Sequence, residues 1–190
     1  MADLALALPA LTLTCPWAHA IAHWSKRTEN REWMPPRELL GRRLAIHAGK
    51  SPFRQNKRGE WSIPAAADAE LRAALDFIEE DCGVRFPWAV TQDWREWLHA
   101  RSSAVLCVVT VAGVANFETR KITHMMPGAD KAALVKAARS PWFVGSLGWI
   151  LTDVVVLPEP VPCPGAQRLW CLPPDADARV RELERAARAA

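Results

Sequence analysis

The stretch that decides the fold is residues 104–115, with the sequence AVLCVVTVAGVA. β-Branched side chains dominate it, and such side chains favour an extended backbone. It is too continuously apolar for a strand with one face in water, which would alternate apolar and polar residues. The stretch therefore predicts the central, buried strand of a sheet.

Shorter patterns on both sides of this stretch predict the surrounding elements. Leu11–Leu13 fits a short strand. Trp17, Ile21 and Trp24 are spaced like one face of a short helix, which delivers Lys26 and Glu29 at or just past its C-terminal end. Further strands are predicted at 44–48, 149–156 and 167–172, and further helices at 64–81, 91–100, 128–139 and 175–190.

The arrangement of these elements indicates the class of fold. Strands separated by helices of unequal length, with no regular βαβ repeat, favour an α+β domain. The chain has 190 residues, which is enough for one sizeable core and short for two. The sequence 158–164 has a proline at every second position, which predicts a connection between the last two strands. Residues 175–190 are charged and rich in alanine, which predicts a helical tail, docked or partly frayed.

The cysteines and the N-terminal sequence indicate the cellular compartment in which the protein is expected. The five cysteines are odd in number and include no Cys-x-x-Cys pair, so they predict neither a disulfide framework nor a zinc site. The apolar N-terminus lacks a basic start and is broken by Pro9, which makes it a poor signal peptide. No apolar run approaches the length of a membrane span. We therefore predict a cytoplasmic protein with no membrane partner, no metal and no cofactor.

The net charge of +3 hides an uneven distribution. Residues 23–58 contain ten Lys or Arg and three acidic residues, a balance of +7, whereas the other 14 basic and 18 acidic residues give −4. Such asymmetry predicts one basic face and an anionic partner. A solvated surface without any partner would produce the same pattern.

Residues 23–33, with the sequence HWSKRTENREW, concentrate charged, amide and indole side chains. Charges interleaved with aromatic faces suit a pocket that stacks a flat polar ring and grips its edges or its phosphate. A lysine at a partly dry site, such as Lys26, can act as a base, and an acid such as Glu29 can move the proton. The same pair could equally be a surface ion pair that contributes less than about 1 kcal/mol.

Lys26, Glu29 and Arg31 also reproduce most of a Gly-x-Lys-x-x-Glu-x-Arg signature, and in this the chain resembles the ASCH family of the PUA-like fold. Residues 44–50 (LAIHAGK) and 140–151 (SPWFVGSLGWIL) resemble that family's second strand and the stretch before a late strand. The resemblance implies a PUA-like small mixed β-barrel flanked by helices, with a cleft near the signature. It further implies a single domain at residues 1–174, in which 60–100 is a helical insertion.

The resemblance implies two functions. The first is binding of RNA, another nucleic acid or a modified nucleoside in a cleft with a basic rim. The alternative is a small hydrolase, either an amidohydrolase that removes an acyl group from N4-acylcytidine or a ribonuclease, with Lys26 and Glu29 as its catalytic pair. Glu29 occupies the position of the threonine of the family's amidohydrolases, and Thr28 lies one place away.

Several polar residues near the signature are predicted to bind the ligand. Arg31 matches the signature and can fork onto a phosphate or a base edge. Asn30 can hydrogen bond to a Watson–Crick edge or cap a turn. Trp24 stands where the family has glycine, so its indole would line or narrow the cleft. Arg27 lies outside the signature and is expected to face solvent.

Other binding candidates lie further along the chain. Trp33 and Trp142 are candidates for base stacking, which contributes about 1–3 kcal/mol per base. His47 is either a general base or a residue that fills a strand position. Lys50 and Arg54 lie in a polar, basic loop and are predicted to contact phosphates.

Overall fold

The computed structural model of the protein describes residues 7–84 and 92–190, which form a mixed α+β fold. The strands are β1 (Pro9–Leu13), β2 (Thr28–Arg31), β3 (Arg43–Ala48), β4 (Arg54–Gln55), β5 (Trp61–Ser62), β6 (Ala104–Asn116), β7 (Ile122–Met125), β8 (Leu147–Pro162) and β9 (Leu169–Cys171). The helices are α1 (Trp17–His23), α2 (Ala65–Glu80), α3 (Gln92–Ala100), α4 (Lys131–Ala138) and α5 (Pro174–Ala189), with a 3₁₀ turn at Arg37–Leu39. None of the helices within these ranges is long and apolar enough to cross a membrane.

A seven-stranded mixed sheet organises the fold. Its strand order is β2-β8-β6-β3-β1-β9, and β7 pairs with β6. Only the β1–β3 pair is parallel among the strand pairs of the described ranges. Every residue of β6 except Asn116 is buried, which confirms the prediction of a central, buried strand. β4 and β5 form a separate two-stranded hairpin.

The sheet is open, so the expectation of a closed barrel is wrong. Closure requires the two edge strands of a sheet to pair with each other. Here the edges are β2 and β9, and the described residues contain no pairing between them. These edge strands have only four and three residues, so they offer few backbone groups with which to close a barrel.

Several elements differ from the sequence-based expectation: β4, β5 and β7 were not predicted, and β8 and β2 differ in informative ways. β8 continues to Pro162, so Pro158 and Pro160 lie in a strand and not in a connection. Proline is tolerated in such a place when the strand has a neighbour on one edge only. The second difference is β2, which the sequence did not predict because its four residues are polar or charged. β2 is a strand because it pairs with the start of β8.

Helices cover both faces of the sheet. Neighbouring residues of a strand face opposite sides, and accordingly Ile46 belongs to the cluster that includes Ile21 of α1, whereas Ala45 belongs to the cluster that includes Val180 of α5. α4 packs its Leu134 against a third cluster on β6 and β8. α5, predicted as docked or frayed, is thus packed on the sheet.

The predicted insertion contributes two helices, of which α2 links two parts of the molecule. Ile78 of α2 is buried with Trp24 and Trp142. Leu71, two turns earlier in α2, is buried with Phe53, which immediately precedes β4. Seven residues of helix span about 10 Å. α2 therefore joins the base of the β4–β5 hairpin to the end of α1.

Candidate functional site

Lys26 is a buried cation, with 2% of its surface exposed. Its Nζ donates hydrogen bonds to the Thr28 carbonyl at 2.5 Å and to Glu29 Oε2 at 2.6 Å. The chain reverses between α1 and β2 at Ser25, which has a φ of 61°. This reversal lets the Lys26 side chain reach the first residues of β2.

Glu29 and Arg31 extend the interaction into a row of three charges, here called the charged row (Lys26, Glu29 and Arg31). Residues two apart in a strand share a face, and Arg31 Nη2 lies 3.1 Å from Glu29 Oε1. The buried Nε of Arg31 has no hydrogen-bond partner among the described residues. Two cations share one carboxylate, and Arg31 keeps 22% of its side chain exposed. The row is therefore able to accept an anionic group at the Arg31 end.

The end of α2 lies close enough to Lys26 for their charges to interact. Burial and the charge of Asp81 raise the pKa of the Cys82 thiol to about 11, and the positive charge of Lys26 opposes this rise. A thiol with so high a pKa is protonated at neutral pH and is a poor nucleophile. Cys82 is therefore a neighbour of the charged row and not a candidate for covalent catalysis.

Asn30 lies on the other side of β2 and is occupied by structural contacts. Its Nδ2 donates to the Trp142 carbonyl at 2.9 Å, and its Oδ1 accepts from the backbone N–H groups of Val144 and Gly145 at 3.1 and 3.2 Å. A Cβ on Gly145 would lie 2.9 Å from the Cβ of Asn30, so this close approach requires glycine. The structure thus places Asn30 where it holds the turn before β8.

The three candidate tryptophans differ in exposure. Trp24 and Trp142 are 8% and 5% exposed and pack together with Ile78, so protein covers most of their surfaces. Trp33 is half-buried and meets Trp149 edge to face at 4.7 Å. With Arg168, Trp33 also lines a depression of about 340 Å³. Trp33 is therefore the one of the three placed to stack on a ligand.

His47, Lys50 and Arg54 are not brought into the charged row. His47 is buried in β3, where its Nε2 is 3.0 Å from the Cys163 carbonyl. Burial lowers the pKa of His47, and backbone hydrogen bonds to Cys163 and Ser103 oppose that shift. β3 is three strand positions from β2 in the sheet, a distance of about 14 Å. Lys50 and Arg54 are exposed beyond β3.

Residues 50–62, which include β4 and β5, form what we call the basic hairpin. Its four cations are exposed, and none of them forms an ion pair with the described part of the chain: Lys50, Arg54, Lys57 and Arg58. Arginines of α5 behave differently, since Arg179 contacts Glu159 and Glu182. The cations of the basic hairpin are therefore available to an external anion.

Arg27 is not the solvent-facing side chain that the sequence suggested. It is half-buried because its Nη1 donates to the carbonyls of Ile21 and Lys26, both at 3.0 Å. It lines a groove of about 990 Å³ together with Lys136 and Arg139 of the α4 region. No spacing in the sequence could have revealed this groove or the Arg168 depression, because their residues come from separate elements.

The described ranges contain no group of three or more His, Cys, Asp or Glu residues that could hold a metal ion. A scan against protein-family models gave no match to this chain, and a search of curated proteins gave none either. The similarity to the ASCH family therefore stays a prediction based on residues 23–33, 44–50 and 140–151.

Proposed function

We propose that the protein binds RNA through the basic hairpin. The observation that carries this proposal is the set of four exposed, unpaired cations on one short hairpin. Lys and Arg side chains that contact phosphates supply most of the sequence-independent affinity for nucleic acids. Because these side chains have no described ion pairs to break, little electrostatic energy is lost when a phosphate approaches.

Two further features support a nucleic acid over another polyanion. Trp33 has an exposed part beside Arg168, and such pairs of aromatic and guanidinium groups stack on nucleobases. The charged row has an excess positive charge at Arg31. The resemblance to the ASCH family, whose members handle nucleic acids or modified nucleobases, points the same way.

Fluorescence anisotropy of a labelled single-stranded RNA at several salt concentrations tests the proposal. The test variant has Lys50, Arg54, Lys57 and Arg58 all changed to Ala. The control is Arg179→Ala on α5. We expect binding that weakens with salt, and a slope that falls by about 0.7 for each phosphate contact removed. Equal affinity and slope for wild type and the fourfold variant would refute this location of the binding surface.

A second candidate function is hydrolysis, and the short Lys26–Glu29 contact favours it. Proton transfer from Lys26 Nζ to Glu29 Oε2, 2.6 Å away, would leave a neutral amine that can take a proton from water. In an N4-acylcytidine, that water would add to the acyl carbon. The bond from carbon to the exocyclic nitrogen would then break, and this nitrogen would take up the proton held by Glu29. Arg31 would hold the carboxylate during these transfers.

Mass spectrometry of an RNA that carries N4-acetylcytidine separates the two functions. The test variant is Lys26→Met with Glu29→Gln, which removes both charges together and so avoids a lone buried charge. The control is Lys121→Met, an exposed lysine outside the basic hairpin and the charged row. Loss of the acetyl group or chain scission by wild type and control, but not by the double variant, would establish a hydrolase. Unchanged RNA would exclude hydrolysis of this substrate and leave binding as the function.

A further inference from the structure

One edge of β8 is largely uncovered. β6 pairs with the first edge of β8 between Leu147 and Pro162, with register shifts that leave residues 153–154 and 157–160 of β8 without a partner residue on β6. β2 pairs along the second edge only from Leu147 to Ile150, and the N–H of Leu151 then donates to the Arg27 carbonyl at 2.8 Å. Within the described residues, no strand covers the second edge from Thr152 onward. A strand edge without a neighbour is a template for pairing with another chain.

Prolines limit the part of this edge that can accept another strand. Pro158, Pro160 and Pro162 lack the backbone N–H group and discourage pairing at the far end. The usable segment is Thr152–Leu157 apart from Asp153, which has a φ of 47° and whose carbonyl already accepts a hydrogen bond from Arg43 Nη1 at 2.8 Å. Within it Val156 is 38% exposed and Val154 is half-buried. These two side chains share a face, so they offer an apolar surface to alternate residues of an added strand.

Depressions with positively charged margins lie at both ends of this segment. The groove of about 990 Å³ at Ile150–Asp153 contains Arg27, Lys136 and Arg139. A smaller cavity of about 230 Å³ at Val156–Pro160 contains Arg101, which supplies its positive charge, and His23, whose pKa is lowered by burial and by Arg101. No ion pair to these five side chains is present in the described part of the chain.

Among the described residues that line the groove, the one acid, Asp153, is already neutralised. Asp153 Oδ2 lies 2.7 Å from Arg43 Nη1 and 2.5 Å from Arg188 Nη2. Its carboxylate therefore does little to offset the surrounding positive charge. The edge of β8 is thus complementary to a ligand that is both extended and negatively charged.

An acidic peptide fits this surface better than a nucleic acid does. Among the described residues, those that line the two depressions include no Trp or Phe and so supply no indole or phenyl platform for base stacking. The floor is instead formed by aliphatic side chains, including Val135, Ile150 and Leu157. Backbone groups of an open strand can pair with another peptide backbone.

We infer that the Thr152–Leu157 edge of β8 binds an acidic peptide segment of a partner protein as an added β-strand. Apolar residues of the peptide pack on Val154 and Val156, and acidic residues contact Arg27, Lys136 and Arg139. This site is separate from the basic hairpin, so it does not depend on RNA binding.

The test uses a labelled octapeptide of alternating Val and Glu with blocked ends. Fluorescence anisotropy gives its affinity, and hydrogen exchange followed by mass spectrometry maps the contact. We expect slower amide exchange within residues 152–157 when the peptide is bound. Lys136→Glu with Arg139→Glu should weaken binding about tenfold or more, because like charges then face each other. Lys131→Glu, on the same helix but outside the groove, is the matched control.

Several results would overturn the proposal. The first is no binding of the octapeptide up to about 1 mM, the weak end of specific affinities. The second is unchanged binding of an octapeptide with an N-methylated backbone, because an added strand needs its N–H donors. Slow exchange of residues 152–157 in the free protein would show that the edge is already covered. If single-stranded RNA displaced the peptide and slowed exchange of the same amides, the edge would be assigned to nucleic acid.

Discussion

Lys26 and Arg31 each lie within hydrogen-bond distance of Glu29 in a largely buried row, whereas the four cations of the basic hairpin are exposed and have no described acidic partner. Both groups come from the same basic part of the sequence, residues 23–58. In the charged row, ion pairs with Glu29 and burial in the protein fix the charged groups in place. In the basic hairpin they are free for an external partner. The comparison predicts that the first group determines stability and that the second determines binding.

The largest expected effect is that of Glu29→Ala. This change removes the carboxylate between Lys26 and Arg31 and leaves buried positive charge without compensation. We expect the free energy of unfolding to fall by about 3–5 kcal/mol, measured by urea denaturation followed by tryptophan fluorescence. Glu32→Ala, at an exposed position, is the control and should change it by less than about 0.5 kcal/mol. A loss below about 1 kcal/mol for Glu29→Ala would mean that the row behaves like a surface ion pair.

Ile78→Ala tests whether the two regions are energetically separate. Ile78 is fully buried against Trp24 and Trp142, so the cavity should cost about 2–5 kcal/mol in the free energy of unfolding. Because Leu71, and not Ile78, packs near the basic hairpin, RNA affinity of the folded variant should stay unchanged. Urea denaturation measures the free energy of unfolding, and fluorescence anisotropy measures the RNA affinity. Glu79→Ala, on the exposed side of α2, is the control. A parallel loss of affinity would show that α2 couples the regions.

A third prediction concerns a buried group that carries no charge near neutral pH. Burial lowers the pKa of His19 to about 3, and the charges of His23 and Arg101 add to the shift. The unfolded chain takes up a proton below about pH 6.5, but the folded chain does so only near pH 3. The contribution of His19 to stability is therefore complete above pH 6.5 and falls as the pH falls. It should amount to about 2 kcal/mol lost between pH 7 and pH 5.

Urea denaturation at several pH values checks this expectation. His19→Leu should flatten the pH dependence between pH 7 and pH 5, and a smaller slope from His23 and His47, whose pKa values burial also lowers, should remain. The matched control is His124→Leu, at an exposed position of β7. If His19→Leu and wild type lost the same free energy over this range, His19 would not be the source of acid sensitivity.

The smallest expected effect completes the comparison. Lys50→Ala and Arg54→Ala, alone or together, should change the free energy of unfolding by less than about 0.5 kcal/mol, because both side chains are exposed and make no described ion pair. Thermal or urea unfolding measures this directly. A destabilisation above about 1 kcal/mol would show that the basic hairpin contributes to the fold and would remove the contrast with the charged row.

The elements that could be predicted from the sequence are those whose environment is encoded locally. Residues 104–115 are apolar apart from Thr110, so their burial in β6 followed from composition alone. β2 could not be predicted in this way. Glu29 lies opposite Trp149 in the sheet, a residue far away in sequence, and this pairing gives a polar segment its strand conformation. Long-range pairing overrode the local pattern.

The same distinction applies to the candidate sites. Lys26 and Glu29 are three residues apart, so their contact was accessible to sequence reasoning. The groove beside Arg27 was not, because Lys136 and Arg139 reach it only after α4 has packed on the sheet. The buried position of Trp142 likewise depends on its packing with Trp24 and Ile78, which lie far away in the sequence, and no residue type or spacing encodes that contact.

The position of β1 between β3 and β9 has a consequence for synthesis on the ribosome. β1 pairs with β3 through residues 45–48, and with β9 through residues 169–171. Since the chain emerges from its N-terminal side, β1 can dock on β3 early, but its other edge stays unpaired until residues 169–171 appear. The nascent domain therefore carries an open apolar edge through most of its translation, when chaperones protect such surfaces. A synonymous codon change that slows synthesis shortly before residue 169 should lengthen this exposure and increase aggregation without altering the finished protein.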